Sequence, residues 1–282
     1  MEKEEIRKKT TKSLSKIDPK MMERIQSLRL MDDDFMTIVF SGDNKLTEFL
    51  LRILLDRSDL TVKSCLTQKE KHNIFGRSVR LDIFAIDTNG IQYNIEIQRA
   101  DKGASEKRAR YNQAMIDSHT LKKNDDFSQL PETYIIFITE NDFYGKGEPI
   151  YMVNQSITTR KGDVLPFDNG THTIYVNGAY RGNDAIGHLM SDFCSSNADE
   201  MYYREIAERV RFHKQEEGGA ITMCRAFEEY GNEVRNETRT SERLSFARDL
   251  IRQNKLSLEE ISAVSHLPLE QVQEIAEQLL EK

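Results

Sequence analysis

The stretch that decides the fold is residues 81–98, LDIFAIDTNGIQYNIEIQ, in which two apolar, β-branched runs flank a Thr-Asn-Gly turn. Asp82 lies early in the first run and Glu96 lies late in the second. A buried carboxylate without a partner is costly, so each of these acids needs a cationic partner, a proton or a metal ion. The stretch therefore predicts a buried hairpin that carries two acids requiring explanation.

The turn decides which residues face one another across this hairpin. A two-residue turn would leave polar and apolar side chains mixed on both faces. A three-residue loop that ends at Gly90, with this glycine in the left-handed conformation, places Asp82 opposite Glu96. The same register brings Ile83 opposite Ile95 and makes one face apolar. We therefore predict the three-residue loop.

This register gathers a polar patch around the two acids. Arg80 and Gln98 join Asp82 and Glu96, and the Cβ atoms of the two acids are expected about 5 Å apart. Two carboxylates this close repel one another, and a bridging divalent cation such as Mg²⁺ removes the repulsion with the oxygen ligands that it prefers. Alternatively, the two acids only form salt bridges with Arg80 and Arg99.

Length and composition limit the classes of protein to consider. The 282 residues suffice for one large domain with an appendage. No run approaches the ~20 apolar residues of a membrane span, and residues 1–16 contain no apolar signal-peptide stretch. The three cysteines give neither a disulfide framework nor a zinc spacing, and the six histidines form no cluster. We expect a cytoplasmic protein with no membrane segment.

Charge is unevenly distributed along the chain. The net charge is −7, which by itself argues against a nucleic-acid partner. Residues 61–123 nevertheless contain twelve basic and seven acidic side chains, so this segment is net +5 while the rest of the chain carries −12. The two acids of the hairpin thus lie in the one basic stretch, as a site that handles phosphates requires. A solvated face of mixed charge is the alternative reading.

Hydrophobic periodicity places the hairpin in a larger α/β domain. Helical spacing predicts a helix over 44–57, and Ser105 is a suitable cap for a second helix that ends near residue 121. Strands are expected over 61–67, 79–87, 91–98 and, as a buried central strand, 133–139. One further hairpin is expected after Pro149. This order predicts a mixed central sheet flanked by helices.

From about residue 184 the sequence is helical and highly charged. Residues 255–279 contain a capping box, Ser257 with Glu260, followed by two short helical segments across a tight turn. The pair resembles a helix-turn-helix, but its second helix is acidic, so we favour packing or homo-oligomerisation over DNA reading. We expect an N-terminal polar segment at 1–30, a core domain at 31–180 and a helical region at 181–282.

The order of these elements and motifs resembles the PD-(D/E)XK nuclease superfamily. GRSVRLDI at 76–83, YNIEIQRAD at 93–101, KRARY at 107–111 and PETYIIFITEND at 131–142 resemble, more narrowly, the Rpn-type recombination-promoting nucleases, also described as PD-(D/E)XK transposases. The resemblance extends from about Met31 to Tyr180. It implies a restriction-endonuclease-like core with a helical C-terminal extension.

The resemblance also implies roles for individual residues. Asp82 and Glu96 correspond to the metal-binding pair, the backbone carbonyl of Ile97 to a further metal ligand, and Glu48 to an extra acid directed at the same metal. Glu48 can alternatively pair with Arg52 on the helix surface. The expected cofactor is Mg²⁺, for which Mn²⁺ can substitute.

Further residues are expected to contact DNA or to depart from the superfamily pattern. The expected DNA contacts come from the basic segment and from the helix after the hairpin: Arg77, Arg80, Arg99, Lys107, Arg108 and Tyr111. For Arg108 and Tyr111, packing is the alternative. Gln98 occupies the position of the superfamily's catalytic lysine, although the narrower family itself has glutamine there.

Two classes of function remain open at this stage. The first is a metal-dependent endonuclease that hydrolyses DNA phosphodiester bonds in DNA breakage, recombination or mobile-element activity. The second is a non-catalytic nucleic-acid-binding or assembly module that keeps the nuclease fold. The intact pair Asp82 and Glu96 favours the first class, and Gln98 is the feature that favours the second.

Overall fold

The computed structural model describes residues 18–72, 77–99, 103–253 and 255–280, with side chains described except at 229–241, 278 and 280. Some of the sequence features named above therefore lie outside the described residues. These are residues 1–17 of the N-terminal segment, Gly76 and residues 100–101 of the matched motifs, and Lys102 of the basic segment.

Within this part of the chain the helix at 44–55, the three strands after it, the next helix and the buried strand follow one another in the expected order. The strands are β1 Val62–Lys71, β2 Val79–Asp87, β3 Gln92–Gln98, β4 Thr133–Thr139, β5 Ile150–Val153, β6 Ser156–Thr158, β7 Val164–Pro166 and β8 Thr171–Asn177. The α-helices are α1 Pro19–Ser27, α2 Asp33–Phe40, α3 Asn44–Leu55, α4 Glu106–Ser118, α5 Ala185–Cys194, α6 Arg204–Gln215, α7 Glu217–Gln253, α8 Leu258–Ser265 and α9 Leu269–Leu280. None of the described helices is long and apolar enough to cross a membrane.

The main sheet is mixed, as the sequence predicts. Its six strands lie in the order β1-β2-β3-β4-β8-β5. The pairs β3–β4 and β4–β8 are parallel, whereas β1–β2, β2–β3 and β5–β8 are antiparallel. Beyond Pro149 the sequence predicts one hairpin. The structure has that hairpin as β6–β7, while β5 and β8 join the main sheet as two additional strands.

The hairpin of β2 and β3 has the predicted register. Ile83 pairs with Ile95 and Ala85 with Tyr93, and all four side chains are buried. Gly90 closes a three-residue loop with φ of 86°, which is the left-handed conformation that the prediction required. The turn chemistry therefore fixes which side chains of the two strands share a face.

Helix α4 covers the face of the sheet that carries Glu96. In the parallel register Glu96 lies beside Phe137, so the two side chains point to the same face. Phe137 packs in a buried cluster with Ala109 and Ile116 of α4. Ser105 caps this helix by accepting a hydrogen bond from the backbone N–H of Arg108, as predicted. The cap fixes the start of α4 directly above the acidic end of β3.

The described chain divides into two compact units, of which the first ends at Met223 and the second begins at Cys224. The first unit thus extends past the boundary expected at residue 180. Lys214 of α6 supplies one reason, because its buried ammonium donates hydrogen bonds to the carbonyls of Gln26, Leu28 and Ser196. A buried cation that binds three carbonyls ties α6 to the segment that precedes α2.

The second unit contains the helix pair anticipated from the sequence. Ser257 and Glu260 form the capping box at the start of α8, and His266 ends this helix in the left-handed conformation. A small core holds the unit together; its buried members are Ala247, Ile261, Leu267, Val272 and Ile275.

Candidate functional site

Asp82 and Glu96 come together where the β2–β3 pairing ends. The main-chain pairs run from Ile86 with Gln92 to Ile83 with Ile95, so the two acids occupy the next position of this ladder. There the carboxylate of Asp82 accepts a hydrogen bond from the backbone N–H of Ile97, at 3.0 Å. A side chain thus binds the N–H at the end of the ladder, and Asp82 is held at a fixed position beside β3.

Both acids are almost completely removed from solvent. Asp82 is 6% exposed and Glu96 is not exposed at all. Burial, together with the nearby charges of Glu96 and Asp33, raises the pKa of Asp82 to about 8. Burial also raises the pKa of Glu96, although the Arg108 guanidinium opposes that change. The pair therefore has a strong tendency to take up a proton or a cation.

Asp33 is a third acid at this site, and no sequence pattern named above indicates it. It is the first residue of α2, lines the same cleft as Asp82, and raises the pKa of Asp82 through its charge. Burial and the neighbouring Asp34 raise the pKa of Asp33 itself. The available signal was the run Asp32-Asp33-Asp34 before an apolar helix, which is equally typical of acids that stabilise a helix N-terminus.

Glu48, which was expected to supply the extra acid, forms its contacts away from Asp82 and Glu96. One of its oxygens pairs with Arg52 at 2.8 Å, and the other accepts a hydrogen bond from the N–H of Val62 at 3.0 Å. Val62 pairs with Asp87, at the end of β2 opposite to Asp82. The expectation that Glu48 joins the acidic pair is therefore corrected, and its alternative reading as a partner of Arg52 describes its position.

Arg108 forms an ion pair with the acidic pair through Glu96. Its Nη2 atom lies 2.5 Å from Oε2 of Glu96, and its Nη1 atom donates to Oε1 of Gln98 and to the carbonyl of Gly103, each at 3.2 Å. Gln98, at the position of the superfamily's lysine, therefore holds a guanidinium in place. The positive charge at this position therefore comes from Arg108 of α4, because the residue on the strand, Gln98, is an uncharged amide.

A cleft of about 730 Å³ opens in front of Asp82. Asp33 also lines it, together with Tyr111, which was expected to contact DNA. The Tyr111 hydroxyl donates to the backbone carbonyl of Arg77. The basic residues of the cleft wall are Arg77, Arg80, Lys107, Arg108 and Arg110. The structure thus brings five of the six expected DNA contacts to one cavity and adds Arg110.

Arg99 is the expected DNA contact that the structure places in an ion-pair network instead. It lies 2.9 Å from Asp32 and 3.6 Å from Glu140, and Arg29 contacts the same two acids. Because Asp32 directly precedes α2, this network fixes the helix start that carries Asp33. The possibility that Arg80 and Arg99 neutralise Asp82 and Glu96 is also corrected, because among the described ion pairs Glu96 binds Arg108.

The oxygens left without partners fit a divalent cation. Oε1 of Glu96 and Oδ1 of Asp33 are buried and accept no hydrogen bond. The N–H of Ile97 points towards Asp82, and the N–H and C=O groups of one strand residue point to the same side, so the Ile97 carbonyl faces the same edge. Among the described residues, however, no three His, Cys, Asp or Glu side chains form a complete ligand group. The groups that fit a divalent cation are therefore the carboxylates of Asp82 and Glu96 and the backbone carbonyl of Ile97.

Comparison with known proteins agrees with the resemblance found in the sequence. Residues 31–167 match the sequence model of the PD-(D/E)XK nuclease family transposases. This segment contains β1–β4, α4, Asp33, Asp82 and Glu96. A search of curated proteins and a search of solved structures found no match.

Proposed function

We propose, from the match of residues 31–167 to the PD-(D/E)XK nuclease family transposases, that this protein is a Mg²⁺-dependent endonuclease that hydrolyses DNA phosphodiester bonds. It would act in DNA breakage and recombination or in mobile-element activity, in the cytoplasm. One observation carries this proposal: Asp82 and Glu96 form a buried acidic pair at the edge of a cleft lined by basic side chains.

Asp82, Glu96 and the carbonyl of Ile97 are the groups that would hold the ion. When bound, a divalent cation supplies charge that stabilises a phosphate and lowers the pKa of a water molecule. Mn²⁺ has the same preference for oxygen ligands and can substitute. Asp33 adds negative charge beside the pair and increases its attraction for a cation.

The basic side chains of the cleft perform the remaining tasks. Arg77, Arg80 and Lys107 neutralise backbone phosphates and position the strand without reading its sequence. Arg108 lies between Glu96 and Gln98, where a guanidinium can donate to a non-bridging phosphate oxygen and stabilise charge that develops in the transition state. Gln98 acts through Arg108 as a positioning residue.

A non-catalytic nucleic-acid-binding module is the second candidate, and one observation favours it. The ion pair with Arg108 already balances the charge of Glu96, so one acid of the pair is accounted for without a metal. In that case the cleft would bind nucleic acid in a salt-dependent manner without cleaving it.

Incubation of the purified protein with supercoiled and linear DNA, in Mg²⁺, in Mn²⁺ and in EDTA, separates the two candidates. The nuclease proposal expects cleavage with either metal and none with EDTA. Salt-dependent binding without cleavage in any metal would support the binding module. Neither binding nor cleavage would overturn both.

A further inference from the structure

A second cleft lies on the other side of helix α4. It has a volume of about 500 Å³ and is bounded by α4 and by the edge of the sheet that contains β5 and β8. Helix α4 is thus a wall shared by two cavities. Lys107, Arg108 and Tyr111 face the first cleft, whereas Ala109, Gln113 and Asp117 face the second. The i, i+4, i+8 spacing of the last three residues marks one stripe of the helix.

Arg110 connects the two cavities, because its side chain lines both. Among the basic residues of the first cleft it is the one that also reaches the second. A polynucleotide whose phosphate binds in the first cleft can therefore keep a phosphate on Arg110 while it crosses the helix. The nucleotide beyond that crossing is the part of the ligand that can reach the second cleft.

The chemistry of the second cleft suits a base and does not suit a phosphate. Glu106 and Asp117 contribute negative charge, which repels phosphate and accepts hydrogen bonds from amino groups. Amide and hydroxyl side chains supply the other polar groups, and Ala109, Ala114 and Val153 supply apolar surface. The polar residues are Gln113, Gln155, Asn169, Thr171 and Thr173.

One buried polar atom of this cleft lacks a hydrogen-bond partner. The Oε1 atom of Gln113 is buried and unpaired, while the Nε2 atom of the same side chain donates to Asp117 at 2.9 Å. Tyr175, beside it in the lining, is fully buried and packs against Tyr144. An unpaired buried acceptor is costly, and an amino group of a bound ligand can supply the hydrogen bond that it lacks.

We propose that the second cleft binds a nucleobase that carries an exocyclic amino group, from the strand whose backbone lies in the first cleft. Adenine and cytosine present such a group, and carboxylate and amide oxygens accept hydrogen bonds from it, whereas thymine presents only the carbonyl at that position. This inference rests on the proposed function, because it requires that the first cleft bind a polynucleotide.

Equilibrium binding of the full-length protein to short single-stranded oligo(dA), oligo(dC) and oligo(dT) tests this proposal, with EDTA present to prevent cleavage. The wild type should bind oligo(dA) or oligo(dC) more tightly than oligo(dT). Thr173→Val removes a hydroxyl at constant shape, and Gln113→Leu removes the amide. Each should weaken binding of the preferred oligonucleotide about tenfold and change oligo(dT) binding little. Gln129→Leu, at an exposed glutamine that lines neither cleft, is the matched control.

The possible outcomes separate the cleft from the proposed function. If the wild type binds none of the oligonucleotides, the nucleic-acid function itself is overturned. If it binds them but the cleft variants bind all three like the wild type, or lose affinity equally for all three, only the base-binding role of the second cleft is overturned. A thermal melt of each variant ensures that a loss of affinity reflects the removed group and not unfolding.

Discussion

Arg108 Nη2 lies 2.5 Å from Oε2 of Glu96, a carboxylate with no exposed surface. The guanidinium itself is partly exposed and faces the cleft. One side chain therefore neutralises a buried acid and at the same time presents positive charge to whatever occupies the cavity. A substitution of Arg108 should therefore affect both the stability of the protein and the chemistry of the site.

Removal of Arg108 should destabilise the protein through Glu96. Arg108→Gln leaves a buried carboxylate without its cation, and we expect a loss of roughly 1–3 kcal/mol in the free energy of unfolding, since the guanidinium is partly screened by solvent. The double variant Arg108→Gln with Glu96→Gln should recover most of this stability because position 96 no longer carries a charge that needs a cation. Denaturant unfolding measures both. Equal losses in the single and double variants would contradict the coupling.

The acidic pair should be required for cleavage and dispensable for folding. Asp82→Asn and Glu96→Gln keep the shape of each side chain and remove its charge. We expect each to lower Mg²⁺-dependent cleavage by on the order of a hundredfold or more, while oligonucleotide binding in EDTA is kept or tightened because negative charge near phosphate is lost. Wild-type cleavage rates in either folded variant, verified by thermal melting, would eliminate the pair as the reaction centre.

Stability should depend on pH through Asp82. Its pKa in the folded protein is about 8, compared with an ordinary value of 3.8. Between these values the folded state binds more protons than the unfolded chain, so the free energy of unfolding should decrease as the pH rises from about 4 to about 8. Asp82→Asn cannot titrate and should flatten that part of the profile. Unfolding curves in EDTA compare the two proteins, and parallel profiles would show that Asp82 is not the group responsible.

Substitutions at Asp33 and at Glu48 test which of these two residues is the third acid of the site. Asp33→Asn should weaken Mg²⁺-dependent cleavage about tenfold and lower the pKa of Asp82, because a negative charge beside Asp82 is lost. Glu48→Gln should leave cleavage unchanged and reduce stability by roughly 1 kcal/mol, because the Arg52 ion pair is lost. Cleavage rates and thermal melts of both variants decide the matter. The opposite pattern would restore Glu48 to the site.

The difference between these two acids shows what the sequence could predict. The hairpin register followed from local turn chemistry and from the alternation of apolar side chains, so the meeting of Asp82 and Glu96 could be predicted. Whether the start of α2 or the middle of α3 approaches that pair depends on tertiary packing. No local pattern distinguishes an acid that lines a cleft from one that stabilises a helix terminus.

Asp87 is a buried acid with a structural role that the sequence alone does not reveal. It is as buried as Asp82, but its oxygens accept hydrogen bonds from the N–H groups of Asn89 and Ile91 and from the Tyr93 hydroxyl. These bonds close the hairpin loop and account for the carboxylate without a cation. The hydrogen-bond partners of Asp87 and the cleft in front of Asp82 separate these two acids, and the sequence specifies neither feature.

Gln98 provides the sharpest test of how the site obtains its positive charge. Its Oε1 atom accepts a hydrogen bond from Arg108, so a lysine at position 98 would place an ammonium against that guanidinium. Like charges at this distance repel, and both cations would compete for Glu96.

We expect Gln98→Lys alone to lower cleavage about tenfold. Gln98→Lys combined with Arg108→Gln exchanges the cation and the amide between the two positions, and should restore much of the lost activity. Single-turnover cleavage rates in Mg²⁺ compare the wild type, both single variants and the double variant. If Gln98→Lys alone cleaves as fast as the wild type or faster, Arg108 is not the cation on which the reaction depends.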